Sequence, residues 1–251
     1  MEFNFSEDEI QRYARHILLR ELGGTGQAKL KAARVLVVGA GGLGSPLALY
    51  LAAAGIGTIG LVDEDVVELS NLQRQVAHGT ADIGRPKVDS AAESLRRINP
   101  LVEILLHRER LGVRNVAEIL TNYEIICDGT DNFATRFLVA DACVAARKTL
   151  ISAAVLRFEG QLATFKPHVS GPCYRCLYPE PPPEGLVPSC SEAGVLGAVT
   201  GVMGTLQATE VIKEITGIGK SLAGYLLVWN ALDAEFRKVK LNKDPQCAVC
   251  G

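Results

Sequence analysis

Apolar residues run almost without interruption from Val35 to Val62, 28 positions that carry no charge. A membrane-spanning helix needs only ~20 such residues. Here, however, glycines at 39, 41, 42, 44, 55, 57 and 60, with Pro46 among them, cut the run into short pieces. Val35 to Val38 reads as a buried strand, Pro46 to Ala54 as a helix of small residues, and Thr58 to Val62 as a second strand. A strand, helix, strand unit covered on both faces is continuously apolar without any lipid, so no membrane span is expected.

The rhythm repeats downstream. A helix from Pro86 carries Val88, Ala91, Ala92 and Leu95 on one side, and Val102 to Leu106 reads as a strand. A helix near Val113 to Thr121, a strand Glu124 to Cys127, a helix Phe133 to Arg147 and a strand Thr149 to Val155 follow. Alternation of this kind predicts an α/β fold, Rossmann-like and doubly wound, with a mainly parallel sheet. After Val155 the pattern changes: Phe158 to Phe165 alternates like an exposed antiparallel strand, and Gly224 to Asn230 with Glu235 to Leu241 reads as a late antiparallel pair. Between them, Pro179 to Pro188 holds five prolines in ten residues and is expected to be extended and mobile. A long helix is expected over Glu192 to Thr216, where Gly197, Gly201 and Gly204 permit close helix approach in a packed core or a dimer seam.

The N-terminus stands apart from the sheet. Ser6 with Glu9 three residues on forms a capping box, followed by an apolar stripe of Ile10, Tyr13, Ile17 and Leu18. Arg12 and Arg15 lie off that stripe, where spacing alone puts them on a solvated face. The expected organisation is a helical arm (1–33), a Rossmann-like part (34–170) and a remainder (171–251) belonging to the same domain.

Composition narrows the classes. With 26 Lys+Arg against 28 Asp+Glu and 48% hydrophobic residues, the chain is neither disordered nor a general nucleic-acid binder. Its seven cysteines cannot all pair, and no basic-then-apolar leader opens the chain, so a reducing cytoplasm is expected rather than secretion.

Gly39-Ala40-Gly41-Gly42-Leu43-Gly44 fits the G-x-G-x-x-G pattern directly between strand and helix. Such a loop lets backbone N–H groups at a helix N-terminus meet phosphate. Asp63 follows Gly44 by 19 residues at the end of the next strand, where a carboxylate can accept ribose hydroxyls. The pattern serves NAD and ATP alike. Asn71-Leu72-Gln73-Arg74-Gln75 and then Lys87 bring two cations that can neutralise a polyphosphate. Asp128-Gly129-Thr130-Asp131-Asn132 ends a later strand, and Asp131 can hold Mg²⁺. Taken singly, each of these is equally well a surface residue.

Cys173 and Cys176 form one C-x-x-C knuckle, and Cys247 and Cys250 another, 70 residues beyond. Paired knuckles point to a tetrahedral structural Zn²⁺, which would tie the chain's end to its middle; two redox pairs or free thiols are the alternatives. Cys127 and Cys143 fall at apolar positions and read as core residues. Cys190 lies near the start of the long helix, just before Ser191-Glu192, which makes it either a candidate nucleophile or an inert loop cysteine.

Together with Gly84-Arg85-Pro86-Lys87 and Glu159-Gly160-Gln161, these motifs resemble the ubiquitin-activating-enzyme-like adenylyltransferases of the MoeB/ThiF/HesA family, over Tyr13 to Gly251. The resemblance implies a homodimer that uses ATP and Mg²⁺ to adenylate the C-terminal glycine of a small ubiquitin-fold sulfur carrier ending in Gly-Gly, releasing pyrophosphate. It implies that Gly39, Gly41, Gly42, Gly44, Asp63, Asn71, Arg74, Lys87, Asp131 and Asn132 bind the nucleotide. Arg74, Lys87 and Asp131 would act in catalysis, and residues 171–251 would carry zinc and the carrier. Arg15, in the pattern Arg-Tyr-x-Arg, would reach the other subunit's ATP, in place of the solvated face. Cys190 matches the cysteine that joins the carrier covalently in one branch. With the chain ending at Gly251, a rhodanese-like domain is not expected and sulfur would come from a separate donor protein. An NAD-dependent oxidoreductase and a non-enzymatic nucleotide-binding zinc scaffold remain the alternatives.

Overall fold

Residues 5–183, 185–188 and 190–251 are described in a computed structural model, the side chains of Cys190 and Ser191 excepted. Two helices, α1 (Glu7–Ile17) and α2 (Gly23–Ala32), precede the sheet. The alternating body then runs β1 (Arg34–Val38), α3 (Gly44–Ala54), β2 (Thr58–Val62), α4 (Lys87–Ile98), β3 (Glu103–His107), α5 (Val116–Thr121), β4 (Ile125–Asp128), α6 (Phe133–Ala145) and β5 (Thr149–Leu156). It ends with β6 (Glu159–Phe165), the short α7 (Tyr174–Leu177) and α8 (Cys190–Ala193), the long α9 (Gly197–Thr216), β7 (Tyr225–Asn230) and β8 (Glu235–Lys240).

The eight strands form one sheet in the order β3-β2-β1-β4-β5-β6-β7-β8. The first five pair in parallel and the last three antiparallel, as expected from the change of rhythm after Val155. Burial on both faces explains the continuous hydrophobicity. Val35 and Val37 of β1 face a core formed with α2, α3, α4 and α9, whereas Leu36 and Val38 face a second core with α5 and α6. Strand order reverses between β1 and β4, which leaves a crevice beyond their C-terminal ends.

Several expectations are corrected. Strand β6 is not exposed: from Leu162 to Phe165 it is buried, because β5 and β7 flank it and α9 covers one face. Only Tyr13 of the α1 stripe is buried in the single chain; Ile10 and Leu18 are 50% and 73% exposed. The expected Glu192 to Thr216 helix breaks at Gly194, whose φ of +79° ends α8, and a new helix begins at Gly197. Within α9, Gly204 lies so close to α3 that a Cβ there would come 2.5 Å from the Leu43 carbonyl oxygen, so this glycine serves core packing. The proline-rich segment has neither helix nor strand at its described positions, and Glu184 lies outside them. No helix among the described residues is long and apolar enough to cross a membrane.

Candidate active site

The loop after β1 turns at Gly39 in the left-handed region, φ +91°, with its N–H donating to the Val62 carbonyl at 2.8 Å. Gly129, after β4, donates to the Val38 carbonyl at 3.0 Å, so the ends of β1, β2 and β4 are knitted together. Gly44 then starts α3 against the turn: a Cβ there would fall 1.8 Å from the Gly39 carbonyl oxygen, which only glycine avoids. The N–H groups of Gly41, Gly42 and Leu43 have no partner among the described residues, leaving them free for an anion at the head of α3.

Asp63 emerges from β2 beside this loop. Its Oδ2 accepts the Ala40 N–H at 2.7 Å and its Oδ1 the Asp65 N–H at 2.9 Å. Burial pushes the Asp63 carboxyl above the usual carboxylate range, while the Lys87 charge pulls it back down. Lys87, buried at the first position of α4, donates to Asp65 Oδ2 at 2.7 Å. The Arg74 guanidinium donates to the Ser70 carbonyl at 3.0 Å.

A cavity of about 1310 Å³ opens at the sheet's C-terminal edge. It brings together Gly39, Gly41, Gly42, Asp63, Arg74, Lys87, Asp131 and Asn132. Gly44 does not line it and acts through packing. Asn71 does not line it either: the side chain is buried, its Oδ1 accepting the Glu68 N–H at 3.3 Å, and it shapes the turn that carries Arg74. Asn132 caps α6 by accepting the Thr135 N–H at 2.9 Å. Asp131 is exposed, and its carboxylate meets no hydrogen-bond or ion-pair partner among the described residues, as suits a hard oxygen ligand for Mg²⁺.

Arg15 is exposed on α1 and does not line this cavity. Cys190 lies at the start of α8, and its side chain is outside the described residues. The motifs assigned no role to two lining residues, Arg136, which lies outside them, and Gln75, which ends the Asn71 to Gln75 run. Arg136 is buried at the foot of the cavity, 3.6 Å from Asp128 and donating to the Ala153 carbonyl at 2.9 Å. An arginine amid the apolar positions of α6 was its available signal. Gln75 is 3% exposed, and its Oε1 has no partner among the described residues.

The four knuckle thiols converge. Their sulfurs all lie within 4.8 Å of one another, at 3.6 Å for Cys173 and Cys247, 3.5 Å for Cys176 and Cys250, and 3.9 Å for Cys173 and Cys176. A disulfide needs about 2.05 Å. A tetrahedron with Zn–S bonds of about 2.3 Å has sulfurs about 3.8 Å apart, so the cluster fits a metal ion of that size. Arg175, inside the first knuckle, clamps Asp141 of α6 with bonds of 3.0 and 2.7 Å and lies over the Phe137 ring. This anchors the cluster to α6 of the alternating body. Burial pushes the Cys127 and Cys143 thiols well up, as befits inert core residues.

A glycine loop, the Asp63 carboxylate and the cations Arg74 and Lys87 at the switch point of a doubly wound sheet mark a Rossmann-like protein of the nucleotide-binding kind, with an appended cysteine cluster. Residues 13–249 match the ThiF family, and the chain belongs to it. It is 54% identical over 243 residues to "Probable adenylyltransferase/sulfurtransferase MoeZ" of Mycobacterium tuberculosis, covering 96% of this chain and 62% of that protein, so it spans less than two thirds of that relative. It is 49% identical over 252 residues to "Sulfur carrier protein adenylyltransferase" of Thermus thermophilus, covering 98% of this chain and 93% of that one. Among solved structures, E. coli MccB with ATP superposes with a TM-score of 0.85 at 24% identity, covering 100% of this chain and 76% of that one, a likeness of fold.

Proposed function

We propose that this protein adenylates the C-terminal glycine carboxylate of a small ubiquitin-fold sulfur carrier, consuming ATP and releasing pyrophosphate. The observation that carries this is a cavity that brings together Asp63, Arg74 and Lys87 with the loop N–H groups and the Asp131 carboxylate, both without a partner among the described residues. Relatives named as adenylyltransferases over nearly the whole chain support it, and weigh against the oxidoreductase and scaffold readings.

Asp63 accepts the ribose hydroxyls and the N–H groups of Gly41 to Leu43 receive phosphate oxygens. The carrier carboxylate attacks the α-phosphorus, forming the acyl–phosphate bond as the bond to pyrophosphate breaks. Negative charge grows on the leaving pyrophosphate, and Arg74 and Lys87 stabilise it. Asp131 would hold Mg²⁺, which supplies charge neutralisation when bound. Cys173, Cys176, Cys247 and Cys250 would hold a structural Zn²⁺ whose four thiolates leave no open position for chemistry. The acyl adenylate is then ready to accept sulfur from a separate donor protein, and Cys190 is the candidate nucleophile, whose thiolate would form a thioester at the acyl carbon as the bond to AMP breaks and AMP leaves.

A homodimer belongs to the same reading. Arg15 lies outside its own chain's cavity, and Ile10, Leu18 and Leu19 expose apolar surface around the same helix, as suits an arm laid across a second copy. ATP–pyrophosphate exchange tests the assignment: a Gly-Gly-ending carrier promotes it and Asp131→Ala abolishes it, whereas exchange indifferent to that change overturns it.

A further inference from the structure

Val76, Ala77 and His78 close the turn that bears Arg74, and His78 is 8% exposed. A buried imidazole needs partners for both ring nitrogens. Here Nε2 lies 3.0 Å from the Ala40 carbonyl oxygen and Nδ1 2.8 Å from Ser90 Oγ. A carbonyl only accepts, so Nε2 carries the proton, and in the neutral ring Nδ1 accepts the Ser90 hydroxyl. One residue thus joins three pieces of the site: its ring reaches the glycine loop through Ala40 and α4, whose first residue is Lys87, through Ser90, while its backbone N–H donates to the Gln75 carbonyl of the Arg74 turn.

The bond to Ala40 has a directional consequence. Across a trans peptide the C=O and the following N–H point in opposite directions. The Ala40 carbonyl is held inward by His78, with Ser45 Oγ also donating at 3.3 Å, so the Gly41 N–H of the same peptide is turned outward, where Gly41 lines the cavity. On its other side the Ala40 residue is fixed by its own N–H bond to Asp63.

We propose that His78 is a positioning residue for the nucleotide's phosphates: as the neutral Nε2–H tautomer it holds the Ala40–Gly41 peptide with the Gly41 N–H aimed into the cavity, and registers that loop against the helix bearing Lys87. It touches no substrate atom; it acts through the loop. This rests on the nucleotide reading of the cavity. The charged groups around the ring are Lys87 of α4, Asp82 and Asp63; burial and Lys87 lower its basicity and outweigh the Ala40 hydrogen bond and the two carboxylates, which raise it, so the net direction favours the neutral ring.

The phosphate loop serves phosphates and not the adenosine moiety, which supplies a readout that general loosening of the fold does not mimic. The KM for ATP in carrier-dependent pyrophosphate exchange is measured beside competitive inhibition by adenosine. His78→Phe, which keeps a planar ring and loses the donor, raises the ATP KM about tenfold or more, as for loss of an aligned hydrogen bond, and leaves adenosine inhibition within about twofold. His78→Gln, whose terminal N–H can reach the Ala40 carbonyl, recovers most of the loss. Ser90→Ala leaves the ring in place but frees its tautomer, and gives a smaller rise in the same direction should His78→Phe not fold.

An unchanged ATP KM in folded His78→Phe and Ser90→Ala, a parallel weakening of adenosine, or a His78→Gln no better than His78→Phe overturns the proposal. A wild-type protein that binds ATP no better than adenosine overturns the nucleotide reading itself, and is recognised before any variant is made.

Discussion

The Asp63 carboxylate accepts the Ala40 N–H at 2.7 Å, so the acid assigned to the ribose also braces the loop assigned to the phosphates. Its other oxygen accepts the Asp65 N–H at 2.9 Å, and Asp65 in turn holds Lys87 at 2.7 Å. The two halves of a nucleotide site are therefore coupled through one side chain. Asp63→Asn replaces one acceptor by an N–H that faces another N–H. Hydrogen bonds to a charged group contribute about 1.5–3 kcal/mol, so ATP affinity is expected to fall about 10- to 100-fold in a calorimetric titration. Unchanged affinity would detach Asp63 from the site.

Two glycines make opposite predictions. Gly44→Ala forces a methyl to 1.8 Å from the Gly39 carbonyl, and the loop must move; a loss of about 3 kcal/mol or more in denaturant unfolding is expected, with ATP binding lost alongside. Gly201 has open space around its Cβ position on α9. Gly201→Ala should stabilise the chain by up to about 1 kcal/mol through helix propensity. A destabilised Gly201→Ala with weakened self-association would instead place this part of α9 in a subunit seam.

The cysteine cluster predicts one zinc ion per chain by metal analysis of protein prepared without chelator. Stripping it frees the segment after β8, which the Cys247 and Cys250 thiolates hold against α7, and should lower the melting temperature and expose residues 243–251 to proteolysis. A metal-free protein with unchanged protection of that tail would return the four thiols to the redox or free-thiol readings.

Much of this arrangement was legible because particular residues had one physical solution. Val35 to Val38 is apolar at every position because both faces of β1 are covered, and Gly39 to Gly44 sits where strand hands over to helix. What escaped notice depends on neighbours distant in the chain. Helix α2 is hidden by Gly23, Gly24 and Gly26, whose low helix propensity is overridden by burial of Gln27 and Leu30. Strand β6 alternates in sequence, yet becomes internal once β7, more than 60 residues on, pairs with it. Arg136 and His78 look like ordinary polar residues until Asp128 and Ala40 arrive as their partners.

Arg15 carries the prediction that most directly concerns assembly. If it completes the site of a second copy, a mixture of Arg15→Ala chains with Asp131→Ala chains contains heterodimers in which one site keeps both residues. Pyrophosphate exchange should then recover toward about a quarter to a half of the wild-type rate, where either variant alone is inactive. Absence of recovery in demonstrated heterodimers would put Arg15 back on a solvated face.

The histidines predict the sign of the acid response near neutrality. Burial lowers the basicity of His78, His107 and His168 in the fold; Lys87 adds to this at His78, and Lys166 and Arg147 at His168. The unfolded chain takes up protons at about pH 6.5 that these rings refuse until lower pH. Stability is therefore fully present above that value and declines as pH falls from about 6.5 toward the folded-state values. Asp63 has the opposite sign: its raised folded-state value means that its ionisation disfavours the fold, in a window just above the ordinary carboxylate range, so it offsets the histidines only at more acid pH. Denaturant midpoints at pH 7.5 and 6.0 should show wild type losing stability on acidification, and His78→Gln losing less because one of the three groups is gone. Equal losses in the two proteins would mean that His78 titrates in the fold as it does in the unfolded chain, contrary to a ring held neutral between Ala40 and Ser90.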